Sequence, residues 1–411
     1  MNNHILQQIK ISLPFSCINF ISLVIFFAPL YLIHLSFFKI PTNMLEIFIL
    51  ASIFFCPLSV IKSIIPHFLL HKKYFIFILF LLLGLFLSSF YGNNPLSELG
   101  IVKSWFLFPL LFLLLLLTHI NTFKKIEIIL KSYFFSALIA SLIGIIYLIA
   151  HNLTYDNRLK LFYLSPNHFS MFLAPAILIG FYFIYSNPKI KSLWIFQFIL
   201  LLNFYFTYSY SAWLAVAVGI FFFTFFTFKN YSSPKSSHIL TFLVLTAILF
   251  LSQIQNPKIQ NIFSSNNHSS IESRLIIWKV SKKIISDNLL LGIGPGNFQE
   301  TYLSYQKYFS PYPEWAVPQP HNILLAFWLQ TGLIGVLSFC LLILFWFKEL
   351  LSFTAKSNNA HFKKMGALLL AILIYILVHG LFDTPYWKND LSLYFWTFFA
   401  LGLILQKNIK E

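Results

Sequence analysis

Two arginines and one histidine are the residues whose type and placement in this 411-residue chain most plainly suit chemistry. Of the 28 Lys and Arg residues, only Arg158 and Arg274 are arginines. A guanidinium is a planar, permanently charged fork that grips two phosphate oxygens at once, whereas an ammonium is a point charge. A lysine-rich chain that uses arginine twice, each time in a polar stretch between apolar runs, suggests a phosphate-bearing ligand, a lipid pyrophosphate above all. Lipid headgroups, or ion pairs with Asp156 and Glu272, would account for the same placement. His321 stands in Pro318-Gln319-Pro320-His321-Asn322, where a polar stretch becomes apolar. An imidazole there can take a proton from a hydroxyl near neutral pH, or serve only to shape the boundary. The string His379-Gly380-Leu381-Phe382-Asp383-Thr384-Pro385-Tyr386-Trp387-Lys388-Asn389-Asp390 is a third polar group between apolar runs. Ionisable groups at a membrane edge are costly and so point to function, although Lys388 could simply pair with Asp383 or Asp390.

Other strings suggest less. Gly292-Ile293-Gly294-Pro295-Gly296-Asn297-Phe298 has the look of a dinucleotide loop, but no strand precedes it, so a tight turn is expected. Tyr302, Tyr305 and Tyr308 recur every third residue with Trp315 beyond; they suit sugar rings, and more commonly the membrane interface. Cys17, Cys56 and Cys340 lie in apolar runs without metal-like or disulfide-like spacing and read as small buried hydrophobes. No metal-ligand cluster and no cofactor motif is expected.

The elements that position these residues follow from composition. At 58% hydrophobic and 10% charged, the chain has too little polar surface for a soluble domain. Runs matching the roughly 20 residues that a helix needs to cross hydrocarbon predict an all-α polytopic membrane protein. About twelve spans are expected, near 14–36, 44–62, 74–91, 100–118, 132–151, 167–186, 192–207, 211–228, 238–252, 321–347, 365–380 and 391–406. The apolar run from Ile11 to about Phe38 is too long for a signal-peptide core and reads as the first span. With the N-terminus cytoplasmic, seventeen basic residues fall in inner loops and five in short outer ones, which by the positive-inside rule places both termini in the cytoplasm of an inner-membrane protein. Basic residues scattered between spans, rather than in one stripe, argue against nucleic acid despite the formal charge of +16.

One membrane domain is expected, with spans one to nine in 1–252, an extracytoplasmic loop over 253–320 and the last three spans in 321–411. The loop is far longer than ordinary helix connections. Ser269 with Glu272 forms a capping-box signature. Ile276, Ile277, Val280 and Ile284 then fall on one side of a helix, with Arg274, Lys279, Lys282 and Lys283 on the other, so short amphipathic helices should lie on the outer membrane face.

Over roughly residues 150–400 the sequence resembles the O-antigen ligase and polymerase superfamily. The resemblance rests on Arg274 to Trp278, on Asn288 to Phe298, and above all on His321 with Gly332 eleven positions later. Arg158, the run Ser165-Pro166-Asn167-His168 and the His379 to Asp390 turn add to it. Tyr210, in Tyr208-Ser209-Tyr210-Ser211-Ala212-Trp213, stands where many members carry arginine, so Arg158, Lys103 or Lys388 must replace that charge or activity is changed or lost.

The resemblance implies a metal-independent glycosyltransferase that moves a glycan from an undecaprenyl-pyrophosphate donor to an acceptor hydroxyl on lipid A core or another cell-surface lipid or polysaccharide. His321 and Arg274 would be catalytic; Arg158, Lys103, Tyr210, Asn322, Trp278, His379, Asp383 and Lys388 would bind substrate. A polysaccharide polymerase shares this pattern, and an inactive homologue remains open. A transporter would call for polar midplane residues and related halves, and the sequence shows neither.

Overall fold

In hydrocarbon every backbone polar group must be satisfied within its own segment, and helices do this. The computed structural model describes residues 17–37, 40–56, 66, 70–92, 94–228, 270–309 and 317–407. The chain is an all-α, multi-pass membrane protein. Helix α1 (Cys17–Phe27), continued by a 3-10 turn from Ala28, leads through strands β1 (His34–Phe37) and β2 (Ile40–Asn43) into α2 (Met44–Phe55). Then follow α3 (Lys72–Tyr91), α4 (Pro95–Val102), α5 (Phe108–His119), α6 (Phe123–Ile149), α7 (Pro166–Ser186), α8 (Ser192–Phe206) and α9 (Tyr210–Phe228). From residue 270 onward come α10 (Ser270–Asp287), α11 (Phe298–Gln306), α12 (Ile323–Lys356), α13 (Ala360–Gly380) and α14 (Asn389–Gln406).

Among the described residues seven helices are long and apolar enough to cross a membrane: α3, Pro95–His119, α6, α7, Tyr210–Thr227, α12 and α13. The apolar segments Cys17–Leu32, Met44–Phe55 and Ser192–Phe206 are shorter. The span expected at 238–252, Ser269 and Trp315 lie outside the described residues. Helix α14 is buried along nearly its whole length and packs against α5, while α9 runs along α13 and α3 along α12.

Three expectations need correction. The first span, expected to reach residue 36, gives way after Phe27 to a 3-10 turn and the antiparallel hairpin His34↔Asn43 to Phe37↔Ile40. Cys17 and Cys56 are joined by a disulfide, because that hairpin folds α2 back along α1 and brings together residues 39 apart in sequence. On α10, Ile277, Val280 and Ile284 are buried and Lys279, Lys282 and Lys283 exposed, as the periodicity predicts. Arg274 leaves the lysine face: it sits in the first turns of α10, where the helix meets the 381–388 turn, and reaches Phe382.

Helix α12 is 34 residues long, about 51 Å at 1.5 Å per residue and well beyond the hydrocarbon thickness. It is kinked at Gly332, whose φ of 66° and ψ of −172° are not helical. A Cβ at Gly332 would collide with the carbonyl oxygen of Leu290, and one at Gly292 with that of Leu329. Bare backbone at both positions lets the 288–294 turn dock on the kink, through Leu333 N–H to Leu290 O (3.0 Å) and Ile293 N–H to Leu329 O (2.6 Å).

Candidate active site

The site lies where the 150–165 loop, the 207–209 connection, the starts of α7, α10 and α12, and the 381–388 turn converge. Arg158 is held first by its own loop: its N–H donates to Thr154 Oγ1 (3.0 Å). The next residue ties the loop to α8, Leu159 N–H donating to Phe206 O (2.8 Å). The Arg158 guanidinium donates through Nε to Thr207 O (2.7 Å) and through Nη2 to Asn167 Oδ1 (2.6 Å). Asn167 occupies the first turn of α7, which Pro166 opens and Ser165 caps. Its amide donates onward to Asp383 Oδ2 (2.9 Å).

Asp383 is the centre of the cluster. Its other oxygen, Oδ1, accepts from Thr384 N–H (2.9 Å) and lies 3.2 Å from His321 Nδ1. Burial alone would raise the pKa of this carboxyl, but the His321 ring, His379 and Arg274 outweigh burial and hold it well below the carboxylate range. Arg274 comes from the opposite wall, with Nε donating to Phe382 O (3.0 Å) and Nη1 to Ser270 Oγ (2.7 Å).

His321 sits in the left-handed region at φ 49°, a conformation that costs a non-glycine residue of order 1 kcal/mol or more and survives only where neighbours enforce it. The neighbours are on both sides. Trp278 Nε1 donates to Pro320 O (3.1 Å), and Asn322 caps α12 by accepting from Leu324 N–H (3.0 Å) and Leu325 N–H (3.1 Å). The Asn322 amide also donates to Leu381 O (3.1 Å), stitching the start of α12 to the turn that carries Asp383.

The charge balance favours an anion. Burial pushes the Arg158 guanidinium below its ordinary pKa; Asp156 opposes this and Arg274 adds to it, with Asp383 and Tyr210 opposing further. Two guanidiniums thus sense each other beside one buried carboxylate, with Asp156 a more distant 3.8 Å partner of Arg158. Nη2 of Arg274 has no hydrogen bond among the described residues, and the His321 side chain is 29% exposed. A phosphate-rich ligand could therefore meet a cationic surface next to an imidazole.

The structure brings together eight of the residues expected to act: Arg158, Tyr210, Arg274, Trp278, His321, Asn322, His379 and Asp383. Their roles differ. Tyr210 senses Arg158 electrostatically, whereas His379 is wholly buried behind Asp383, with Nδ1 2.8 Å from Tyr375 Oη. Lys103 and Lys388 are placed elsewhere. Lys103 is engaged by the buried Glu46 carboxylate (2.9 Å) and donates to Pro41 O (2.6 Å). Lys388 lies over the Trp105 ring, 5.8 Å from its centroid, and burial lowers its pKa against the pull of Asp390. The cation that Tyr210 senses is Arg158.

Sequence reasoning gave no role to Asn167, although it bridges Arg158 and Asp383; a neutral amide in a capped first turn reads as helix-start chemistry. Nor did it give a role to His168, although the run Ser165 to His168 entered the resemblance; its Nε2 lies 3.0 Å from Asp390 Oδ1 in the core, 222 positions away.

Residues 195–340 match the protein-family model described as O-antigen ligase. Over that segment the chain is similar to the O-antigen ligases. The match supports membership of the O-antigen ligase superfamily and a membrane enzyme of the ligase and polymerase kind acting in polysaccharide biosynthesis. The O-antigen ligase segment supplies Tyr210, Arg274, Trp278, His321 and Gly332, while Arg158, Asn167, His379 and Asp383 come from flanking residues that fold onto it. No curated protein matches the chain.

Proposed function

We propose that this protein transfers a glycan from an undecaprenyl-pyrophosphate donor to an acceptor hydroxyl at the outer face of the inner membrane, with both termini in the cytoplasm. The observation that carries the reading is the continuous set Arg158, Asn167, Asp383, His321, with Arg274 bound to the carbonyl preceding Asp383. With its Nδ1 proton donated to Asp383, the His321 ring offers Nε2 as the acceptor, the arrangement used wherever a carboxylate orients a catalytic imidazole. The acceptor oxygen attacks the anomeric carbon and its proton passes to Nε2 of His321. The bond from that carbon to the phosphate oxygen breaks, and the electron pair leaves with the pyrophosphate, whose charge Arg158 and Arg274 stabilise. Those two cations take the place a divalent ion holds in many pyrophosphate reactions, so the transfer is written without a metal; turnover in chelator that rises on adding magnesium or manganese would contradict that part.

The test is donor turnover by the protein in lipid, comparing wild type with His321→Ala and Arg274→Ala and scoring released lipid pyrophosphate and product size. Loss in both folded variants is expected. Transfer of one block to a distinct acceptor identifies a ligase, whereas a ladder of lengthening chains identifies a polymerase. Unchanged turnover in both variants removes the site.

A further inference from the structure

The opposite end of the bundle gathers three other reactive side chains. Lys103 touches the β1–β2 hairpin and Tyr386 Oη donates to Trp105 O (3.0 Å), so the start of the Pro95–His119 helix lies at the active-site end. His119, sixteen residues beyond Lys103, is therefore about 24 Å away at the other end. There Cys17 opens α1, Cys56 follows α2 and His119 closes α5. One ligand atom from each lies within 4.8 Å of the other two; Cys56 is buried, Cys17 and His119 half-buried.

We propose that Cys17 and Cys56, when reduced, form with His119 a binding site for a thiophilic metal ion of the zinc class. A tetrahedral zinc site has edges of about 3.5–3.8 Å, given Zn–S near 2.3 Å and Zn–N near 2.0–2.1 Å. Side-chain movements of about 1 Å therefore bring the three donors onto an ion, with the fourth position left to water. Two thiolates and an imidazole select zinc, cadmium or cuprous copper over magnesium or calcium.

The flanking sequence says which state to expect. Lys72 and Lys73 open α3, and Lys124 and Lys125 follow His119; Lys125 Nζ donates to the His119 carbonyl (2.7 Å). A lysine-rich end faces the cytoplasm by the positive-inside rule, and there glutathione and thioredoxin keep cysteines as thiols rather than disulfides. The disulfide and the metal site are alternative fates of one cysteine pair. Held by the ion, α1, α2 and α5 are tied together far from the reacting groups, so the site is structural.

The experiment uses the full chain in nanodiscs, reduced and freed of metal, with cobalt(II) as the probe. About one cobalt per chain is expected, with tetrahedral d–d bands and a thiolate charge-transfer band that zinc abolishes. The bands are lost in Cys17→Ser, Cys56→Ser and His119→Ala and kept in Cys340→Ser. A second readout needs no variant: zinc should slow alkylation of Cys17 and Cys56 in the wild type by about tenfold or more, because bound thiolates are not free nucleophiles. Reduced wild type with both thiols reactive and no charge-transfer band overturns the site. So does protein taken from thiol-blocked cells whose two cysteines react only after reduction.

Discussion

His321 Nδ1 faces Asp383 Oδ1 at 3.2 Å, while the other oxygen of the same carboxylate accepts from Asn167 at 2.9 Å. One buried group thus orients the proposed base and, through Asn167, sets the position of Arg158. Replacing Asp383 by Asn keeps the shape but removes the negative charge and one of the two acceptor oxygens that serve His321 Nδ1 and the Asn167 amide. Turnover should fall about 10²–10⁴-fold, the range for losing a carboxylate that orients a catalytic imidazole. Single-turnover rates of Asp383→Asn, with thermal unfolding as the folding control, check this; a loss below threefold would sink the pairing as part of the mechanism.

The same carboxylate predicts a pH window. Its folded pKa lies below the ordinary 3.8, so the ionised form stabilises the native site fully above the unfolded value. That stabilisation disappears only as pH falls through the folded value. The difference in unfolding temperature between wild type and Asp383→Asn should therefore be flat from about pH 5 to pH 8 and shrink below about pH 4. A difference that fades near pH 6 would assign the effect to another group.

Arg158 is predicted to be the second phosphate-binding cation. Losing two charge-assisted hydrogen bonds of about 1.5 kcal/mol each corresponds to roughly a hundredfold drop in kcat/KM for donor. Arg158→Ala should show it, and Arg158→Lys should recover only part, because an ammonium cannot form the fork. Adding Tyr210→Arg to Arg158→Ala should restore turnover, since the two positions adjoin. By contrast, the double change Lys103→Met with Glu46→Gln removes a pair whose contacts are with Pro41, Asn43 and Ser104 rather than with the cluster, and should alter kcat/KM by less than about twofold. Equal losses from both sets would mean that charge anywhere on this face suffices.

These contrasts show what could be read from the chain. Helices were legible because hydrocarbon admits little else, and Arg158, Arg274, His321 and Asp383 were legible because ionisable residues are conspicuous beside long apolar runs. Lys103 looked equivalent to Arg158 because nothing local shows that Glu46, 57 positions earlier, folds onto it. Cys17 and Cys56 were unreadable for the same reason: their proximity comes from the hairpin between α1 and α2, not from spacing. The kink was visible only as the ten-residue interval between His321 and Gly332, without its physical meaning.

That meaning yields a last prediction. Gly332 lets the turn at Leu290 and Leu291 press against α12, and Trp328 Nε1, one turn earlier, donates to Leu289 O (3.0 Å). The turn leaves α10 and docks on α12, and α10 carries both Arg274 and the Trp278 indole that secures the backbone at His321. A methyl group at 332 meets backbone on one side and requires a positive φ on the other, so Gly332→Ala should cost about 1–3 kcal/mol. Because the strain falls on the connection between Arg274 and His321, donor turnover should drop more steeply than the loss of folded protein explains. Gly100→Ala, at a helical glycine of α4 with no positive φ and open space where the methyl group would go, supplies the comparison. Thermal unfolding and single-turnover rates of the two variants decide the matter: Gly332→Ala losing stability but keeping full turnover per folded molecule would show that the kink supports the fold without setting the site.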